Sequence, residues 1–285
     1  MKKTSLAPYL QVAPLAFIMV MFVALPLAVL LTLSFWQSDG ISLTPAFSFE
    51  NYEIVLGSPL TWTLLLATLK FAAITWVFTL LIGFTCSYFL VFHVKSLKLQ
   101  IALFLLCTIP FWTSNVIRMI SWVPFLGKEG LFNRFLQSVG LIDQPLEFLL
   151  FSDFAVILTY VHLFTLFMMV PIFNSMAKIN PSVIEAAVDA GASPLMVLKD
   201  VIIPLTRTGI ALGSIFVVTL VMGDFFVIRV MSGGQSANIA SAMKNNIDQL
   251  YYPDAAAMAV FLIAAVLVPI VIILRIVDVR AELAR

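Results

Sequence analysis

The chain has 285 residues, 62% of them hydrophobic and 11% charged, with a mean hydropathy of +1.08 and a formal net charge of +1. Soluble domains carry about a quarter charged residues, so this composition excludes an ordinary water-soluble globular protein. The near-zero net charge says little about partners by itself, and no nucleic-acid partner is expected.

Six segments are long and apolar enough to cross a bilayer core of about 30 Å, which needs ~20 residues of helix. They cover residues 12–36, 60–92, 100–120, 154–176, 208–227 and 255–277. The expectation is an all-α membrane protein with six transmembrane helices in a single domain, 1–285. An even number of spans puts both termini on one side, and Lys and Arg decide which side that is. With the N-terminus inside, Lys2, Lys3, Lys95, Lys98, Lys178, Lys199, Arg207, Arg275, Arg280 and Arg285 face the cytoplasm. Arg118, Lys128, Arg134, Arg229 and Lys244 face outward, and Lys70 falls within a span. Ten against five favours N-in, C-in.

The first span carries Pro14 and Pro26, each able to kink a membrane helix. Lys2-Lys3 would suit a signal peptide, but an apolar run of about 25 residues is too long for one, so an uncleaved span is the better reading. Residues 37–59 contain Asp39, Glu50 and Glu53 with turn residues Gly40, Pro45, Gly57 and Pro59, which reads as a solvated external loop. Glu50-x-x-Glu53 lacks the further ligands that a metal site needs. The second span is longer than the membrane requires, so tilt or extension beyond it is expected. Its Lys70 either faces a bundle interior or snorkels outward.

In the third span Pro110 should kink the helix, and Trp112, Thr113, Ser114 and Asn115 follow. Polar side chains at this depth either bind neighbouring helices or face a water-filled path. Residues 130–140 and 237–250 have the spacing of external amphipathic helices. The fourth span adds Tyr160, His162, Thr165 and Pro171. The fifth ends at Gly223-Asp224, where a carboxylate is costly against lipid and should face an aqueous entrance or a partner such as Arg229.

Between the fourth and fifth spans lies a polar island, 178–207, whose core reads NPSVIEAAVDAGASPLMVLKDVIIP over 180–204. It predicts two short helices. Asn180 or Ser182 caps the first, Pro181 sits just inside it, and Ser182-x-x-Glu185 fits a capping box. Gly191 closes that helix in a left-handed conformation, and Ser193-Pro194 opens the next.

Glu185-Ala186-Ala187, three residues, Gly191, nine residues, then Val201-Ile202-Ile203-Pro204 resembles the EAA signature of membrane subunits of prokaryotic ABC importers. Positions 201 and 203 depart from it by aliphatic exchange only. The resemblance implies a type I importer permease fold in the cytoplasmic (inner) membrane, with this loop as the coupling helix that docks on an ATPase. Glu185, Ala186, Ala187, Gly191 and Pro204 would make that coupling. The run Pro110 to Arg118, continuing through Lys128-Glu129-Gly130-Leu131-Phe132-Asn133, is similar to the spermidine/putrescine branch, in particular to the first of its two permease subunits. Implied partners are two ATP-binding subunits, a second homologous permease subunit, an extracytoplasmic solute-binding protein and membrane lipid.

Catalytic chemistry is missing from the sequence. Cys86 and Cys107 both fall in predicted spans, His93 and His162 form no metal-binding pair, and no G-x-x-x-x-G-K-[ST] loop or G-x-S-x-G elbow occurs. No cofactor is expected on this chain; ATP and Mg belong to the implied ATPase. Two function classes remain: a permease subunit of an ABC importer, or a self-sufficient channel or ion-coupled secondary transporter. For the first, a cationic solute fits ten acidic residues against five basic ones on the external side. Trp112, Asn115, Tyr160 and Asp224 are the candidate pathway residues, through cation–π contact, amide polarity and charge.

Overall fold

The computed structural model describes residues 7–38 and 42–277, with side chains from Gln11 onward. Lys2, Lys3, Asp39, Gly40, Arg280 and Arg285, used above for charge and turns, lie outside the described residues. Among the described residues, five helical stretches are long and apolar enough to cross a membrane: Gln11–Leu33, Pro59–His93, Asp153–Met176, Pro194–Gly223 and Tyr252–Ile276. A bent pair, Leu97–Trp112 with Asn115–Ser138, passes the same test when taken together and brings the number to six if it counts as one span.

The described residues cluster into two compact units. The smaller contains residues up to Trp62 together with Ala242–Ile263. Its helices begin with α1 (Ala7–Met19) and α2 (Leu25–Leu33), joined by a π-helical turn at Val20–Ala24. Pro26 sits just past that turn. A proline removes one backbone donor and crowds the preceding turn, and the wider π turn accommodates both effects without breaking the span. The external loop is more ordered than a solvated linker. Strands β1 (Gln37–Ser38) and β2 (Leu43–Thr44) pair antiparallel, with Gln37 opposite Thr44, and α3 (Glu50–Gly57) follows. Buried Asn51 donates to the carbonyls of Ser34 and Trp36 at 2.8 Å each, and Phe35 packs among Phe47, Phe49 and Tyr52. The Glu50 carboxylate accepts from the Gln37 amide. In the same unit, Val55 packs with Ala257 and Met258, joined by Met243 and Phe261.

The larger unit covers Thr63–Ser241 with Ala264 onward. The second span is α4 (Pro59–Tyr88) plus a π turn at Phe89–His93, 35 residues in all, as its excess length predicted. The third span differs from expectation. Instead of one kinked helix over 100–120, α5 (Leu97–Thr108) tightens into a 3₁₀ turn (Ile109–Trp112) and stops. The chain then bends by 91° into α6 (Asn115–Ile120), α7 (Trp122–Leu126) and α8 (Leu131–Ser138). Pro110 removes a helical donor, Thr113 is extended, and Ser114 starts the new helix by accepting from the Val116 amide. Together these make a corner where one proline alone would give a kink.

The packing centre of this unit is the pair α9 (Asp153–Met176) and α12 (Ile203–Gly223). Lipid is as apolar as leucine, so helices in it associate through close approach and polar links rather than through water exclusion. Gly209 and Gly213 face α9 where a Cβ on Gly209 would lie 2.4 Å from the Pro171 carbonyl oxygen, and one on Gly213 would lie 2.7 Å from Met168 Sδ. Trp76 of α4 donates to Ser214 Oγ at 2.8 Å, and Ser87 donates to the Met169 carbonyl.

Candidate coupling helix and translocation site

The polar island folds as α10 (Pro181–Asp189), then α11 (Pro194–Met196), a π turn at Val197–Ile202, and α12. Asn180 is the cap: its side-chain oxygen accepts from the Ser182 amide at 3.1 Å. This corrects the expected capping box. With Asn180 in the capping position, Pro181 supplies N1 and Ser182 becomes an inner residue, so the Ser182/Glu185 exchange has no orphan donor to satisfy. The other end closes as expected. Gly191 has φ +87°, its amide donates to the Val188 carbonyl, and the Ala192 amide donates to the Ala187 carbonyl at 3.0 Å. These two bonds define a Schellman motif, which requires the left-handed residue that glycine provides without strain.

Ser193 accepts from the Met196 amide and starts the next helix, which runs unbroken over Pro194–Gly223, 30 residues. The fifth span therefore begins 14 residues before the expected position 208 and ends at 223 rather than 227. Polar Lys199, Asp200 and Arg207 hid its first turns from a hydropathy reading. Pro204 lies in the first turn of α12, directly after the π turn, repeating the arrangement around Pro26.

Glu185 and Ala186 are exposed, and Ala187 is half-buried. Beside them stand apolar side chains with no cover: Val183, Val188, Met196 and Leu195, the last 73% exposed. Ile184 is half-buried, and it borders a cleft with Glu185, Val188, Tyr88, Phe92, Gln100 and Val197.

At the far end of α12, Tyr160 is fully buried and donates to Asp224 Oδ1 at 3.2 Å. The same oxygen accepts from the Val227 amide at 2.8 Å, capping α13 (Phe226–Met231), and Asn238 donates to the Asp224 carbonyl at 2.7 Å. Asp224 stands one residue past the span, and burial raises its carboxyl above the ordinary value of 3.8 against the opposing bonds from Val227, Tyr160 and Phe226. Its ionised form thus has neutral donors but pays for lost water. From Tyr160 an aromatic series leads along α9: Tyr160 stacks on Phe164, Phe164 meets Phe167, and Phe167 touches Phe111 and Phe216.

The four expected pathway residues therefore divide. Tyr160 and Asp224 are in direct contact. Asn115 instead accepts from the Arg118 guanidinium, and Trp112, 82% exposed, borders a shallow apolar cleft with Thr108, Phe111 and Phe216. Lys70 pairs with Asp153 at 2.5 Å, both half-exposed, and Ser236 donates to the other oxygen of Asp153. The Lys70 ammonium thus meets the first residue of α9, at the end of that helix. Asp153 and Ser236 were not singled out from sequence, because nothing local marks residues 83 positions apart as partners. A signal did exist for the helix pair: Gly209-Ile-Ala-Leu-Gly213 is a G-x-x-x-G run inside an apolar segment. Asp153→Asn keeps an acceptor for Ser236 and removes only a half-exposed ion pair. It should cost less than ~1 kcal/mol, and the difference in thermal midpoint should shrink as salt is raised.

No family model matches the chain. It is 34% identical over 245 residues to the spermidine/putrescine transport system permease protein PotB of Salmonella typhimurium, covering 86% of this chain and 84% of that protein. In three dimensions it resembles a bacterial ABC transporter involved in the import of the acidic polysaccharide alginate, with a TM-score of 0.77 at 17% identity over 95% of this chain and 94% of the other. A structure of a bacterial alginate ABC transporter in complex with an alginate pentasaccharide-bound periplasmic protein gives a TM-score of 0.73 at 17% identity, over 94% and 92% of the two chains.

Proposed function

The chain belongs to the PotB family of ABC importer permeases, and from that membership we propose that it carries a polyamine or similar cationic solute across the inner membrane. It is a multi-pass membrane subunit of an ABC importer. In the proposed assembly it is a single permease domain, N-in and C-in, that pairs with a second, homologous permease subunit. Two ATP-binding subunits dock on the 178–207 loop, and a solute-binding protein delivers the cargo from outside. ATP and Mg bind the ATPase subunits, and this chain needs no cofactor of its own. Membership in an importer family leaves the self-sufficient channel or ion-coupled transporter without support.

The observation that carries this reading is the construction of the polar island. A nine-residue helix closed at both ends leaves Glu185 and four large apolar side chains uncovered, and a single turn joins it to a helix that crosses the whole span. Apolar groups exposed on a polar segment mark a contact surface. Ala186 and Ala187 let that surface approach a groove closely, Glu185 offers a charge to a cationic residue there, and Gly191 and Pro204 fix the turn and the entry into the span.

For the cargo, support comes from the name of PotB and from chemistry at the external end. Asp224, Tyr160 and the aromatic series offer a buried carboxylate followed by π faces, which suit an ammonium group. Trp112 and Asn115 would flank the same route. The test is co-purification with the ATPase subunits and measurement of solute-stimulated hydrolysis. Glu185→Lys should leave this chain folded while reducing coupled hydrolysis at least tenfold. Unchanged stimulation would remove Glu185 from the coupling surface.

A further inference from the structure

A second cavity lies away from the Tyr160–Asp224 pair. It measures about 330 Å³ and is bordered by Cys86, Cys107, Phe111, Arg118, Trp122 and His162, continuing along α9 from Leu158 to Met169. Those twelve positions of helix, eleven rises, span about 16 Å, close to one leaflet of a core of about 30 Å. Thr165 also lines it, but its hydroxyl donates to the Val161 carbonyl, and the remaining walls are apolar, so the crevice suits a hydrocarbon chain rather than water.

One end is different. Arg118 is 7% exposed, and its Nε has no hydrogen-bond acceptor among the described residues. One terminal nitrogen donates to Asn115, and the guanidinium lies 5.5 Å from the centre of the Phe111 ring. Neither contact neutralises the charge. A buried guanidinium with an orphan donor is costly and normally meets an anion. Nearby, Trp122 donates to His162 Nδ1 at 3.0 Å, so a neutral His162 carries its proton on Nε2 and offers a further donor. Arg118 follows the 91° corner, after α5 and its 3₁₀ turn have risen about 26 Å. That height is the headgroup boundary, on the external side given by the charge distribution.

We propose that this cavity holds an anionic phospholipid, its phosphate against the Arg118 guanidinium and one acyl chain in the crevice beside α9. A zwitterionic lipid fits the crevice equally well but brings a compensating positive charge to Arg118. A free phosphate satisfies the guanidinium but leaves the crevice empty. The lipid would brace the corner between α5 and α6.

The test uses the assembled transporter, delipidated in detergent, with retained lipid counted by native mass spectrometry after titration with phosphatidylglycerol, phosphatidylcholine or inorganic phosphate. Phosphatidylglycerol should be retained about tenfold more tightly than phosphatidylcholine, as one charge-assisted hydrogen bond provides. Arg118→Gln should abolish that preference. Val161→Phe, which fills the crevice and leaves Arg118 intact, should weaken both lipids. Equal retention of the two lipids by the unaltered transporter would overturn the proposal, as would a preference that survives Arg118→Gln. Displacement of phosphatidylglycerol by phosphate alone would reassign the cavity to a small anion. Polyamine transport is a separate readout, so failure here leaves the proposed cargo standing.

Discussion

Gly209→Leu is expected to abolish recovery of folded transporter, and Gly209→Ala to lower its thermal midpoint markedly. Even a methyl at this position would sit 2.4 Å from the Pro171 carbonyl oxygen and 2.5 Å from Ser175 Oγ. One of those neighbours is backbone inside a helix, so relief requires α9 and α12 to separate. Overpacking of a tight core costs about 1–3 kcal/mol for small increments. Here it strikes the close approach that holds two spans together without help from the hydrophobic effect. The measurement is size-exclusion recovery and thermal midpoint in one detergent, with Gly223→Ala as control. A Cβ at Gly223 meets nothing within 4 Å, so that variant should behave as the parent. Equal behaviour of Gly209→Ala and Gly223→Ala would contradict the helix contact.

Asp224→Asn is expected to separate stability from transport. The amide oxygen of Asn can still accept from Tyr160 and Val227, so the cap on α13 and the buried hydroxyl keep a partner. What disappears is the cost of an ionised carboxylate in a desolvated site. Because burial raises the Asp224 carboxyl in the folded chain, the protonated form is favoured there. Its contribution to stability is full below the ordinary value of 3.8 and is lost as pH rises through the raised one. The Asn variant should therefore have the higher midpoint at neutral pH, and the gap should close on acidification. Transport should move the other way. Truncating one partner of a desolvated charge pair costs about 2–5 kcal/mol, which predicts at least a thirtyfold loss of affinity for a cationic solute. A variant with unchanged polyamine uptake would remove Asp224 from the pathway.

Much of this was legible in the sequence, for identifiable reasons. Long apolar runs mark spans because a bilayer leaves the backbone no other way to satisfy its hydrogen bonds. The polar island was legible because caps are local: Asn180, Pro181, Gly191 and Ser193 act within four residues of themselves. Three things were hidden. The start of the fifth span was masked by Lys199, Asp200 and Arg207, which hydropathy counts as loop although a helix carries them through. The corner at Thr113-Ser114 was read as a kink because proline alone cannot reveal whether the next residues resume the helix. Contacts such as Lys70 with Asp153 depend on which spans are neighbours, and no short-range pattern carries that information. Tyr160 and Asp224 stand out in the sequence as polar groups in apolar spans, but their mutual contact depends on which spans are neighbours.

The unbroken run from Pro194 to Gly223 has a mechanical meaning. Thirty helical residues make a rod about 45 Å long, with the exposed Leu195 at one tip and Asp224 just beyond the other. A tilt of about 5° around its middle carries each tip about 2 Å sideways, in opposite directions. That is comparable to the width of a hydrogen bond, enough to make or break the contact between Tyr160 and Asp224. Movement imposed at the inner surface would then arrive outside as a rotation of one solid body, with no chain of side-chain rearrangements between. The regular hydrogen-bond ladder of this rod is interrupted at the π turn at Val197–Ile202 and at Pro204 just after it. Both interruptions lie close to the Leu195 tip, so the part that reaches Asp224 is continuous α-helix.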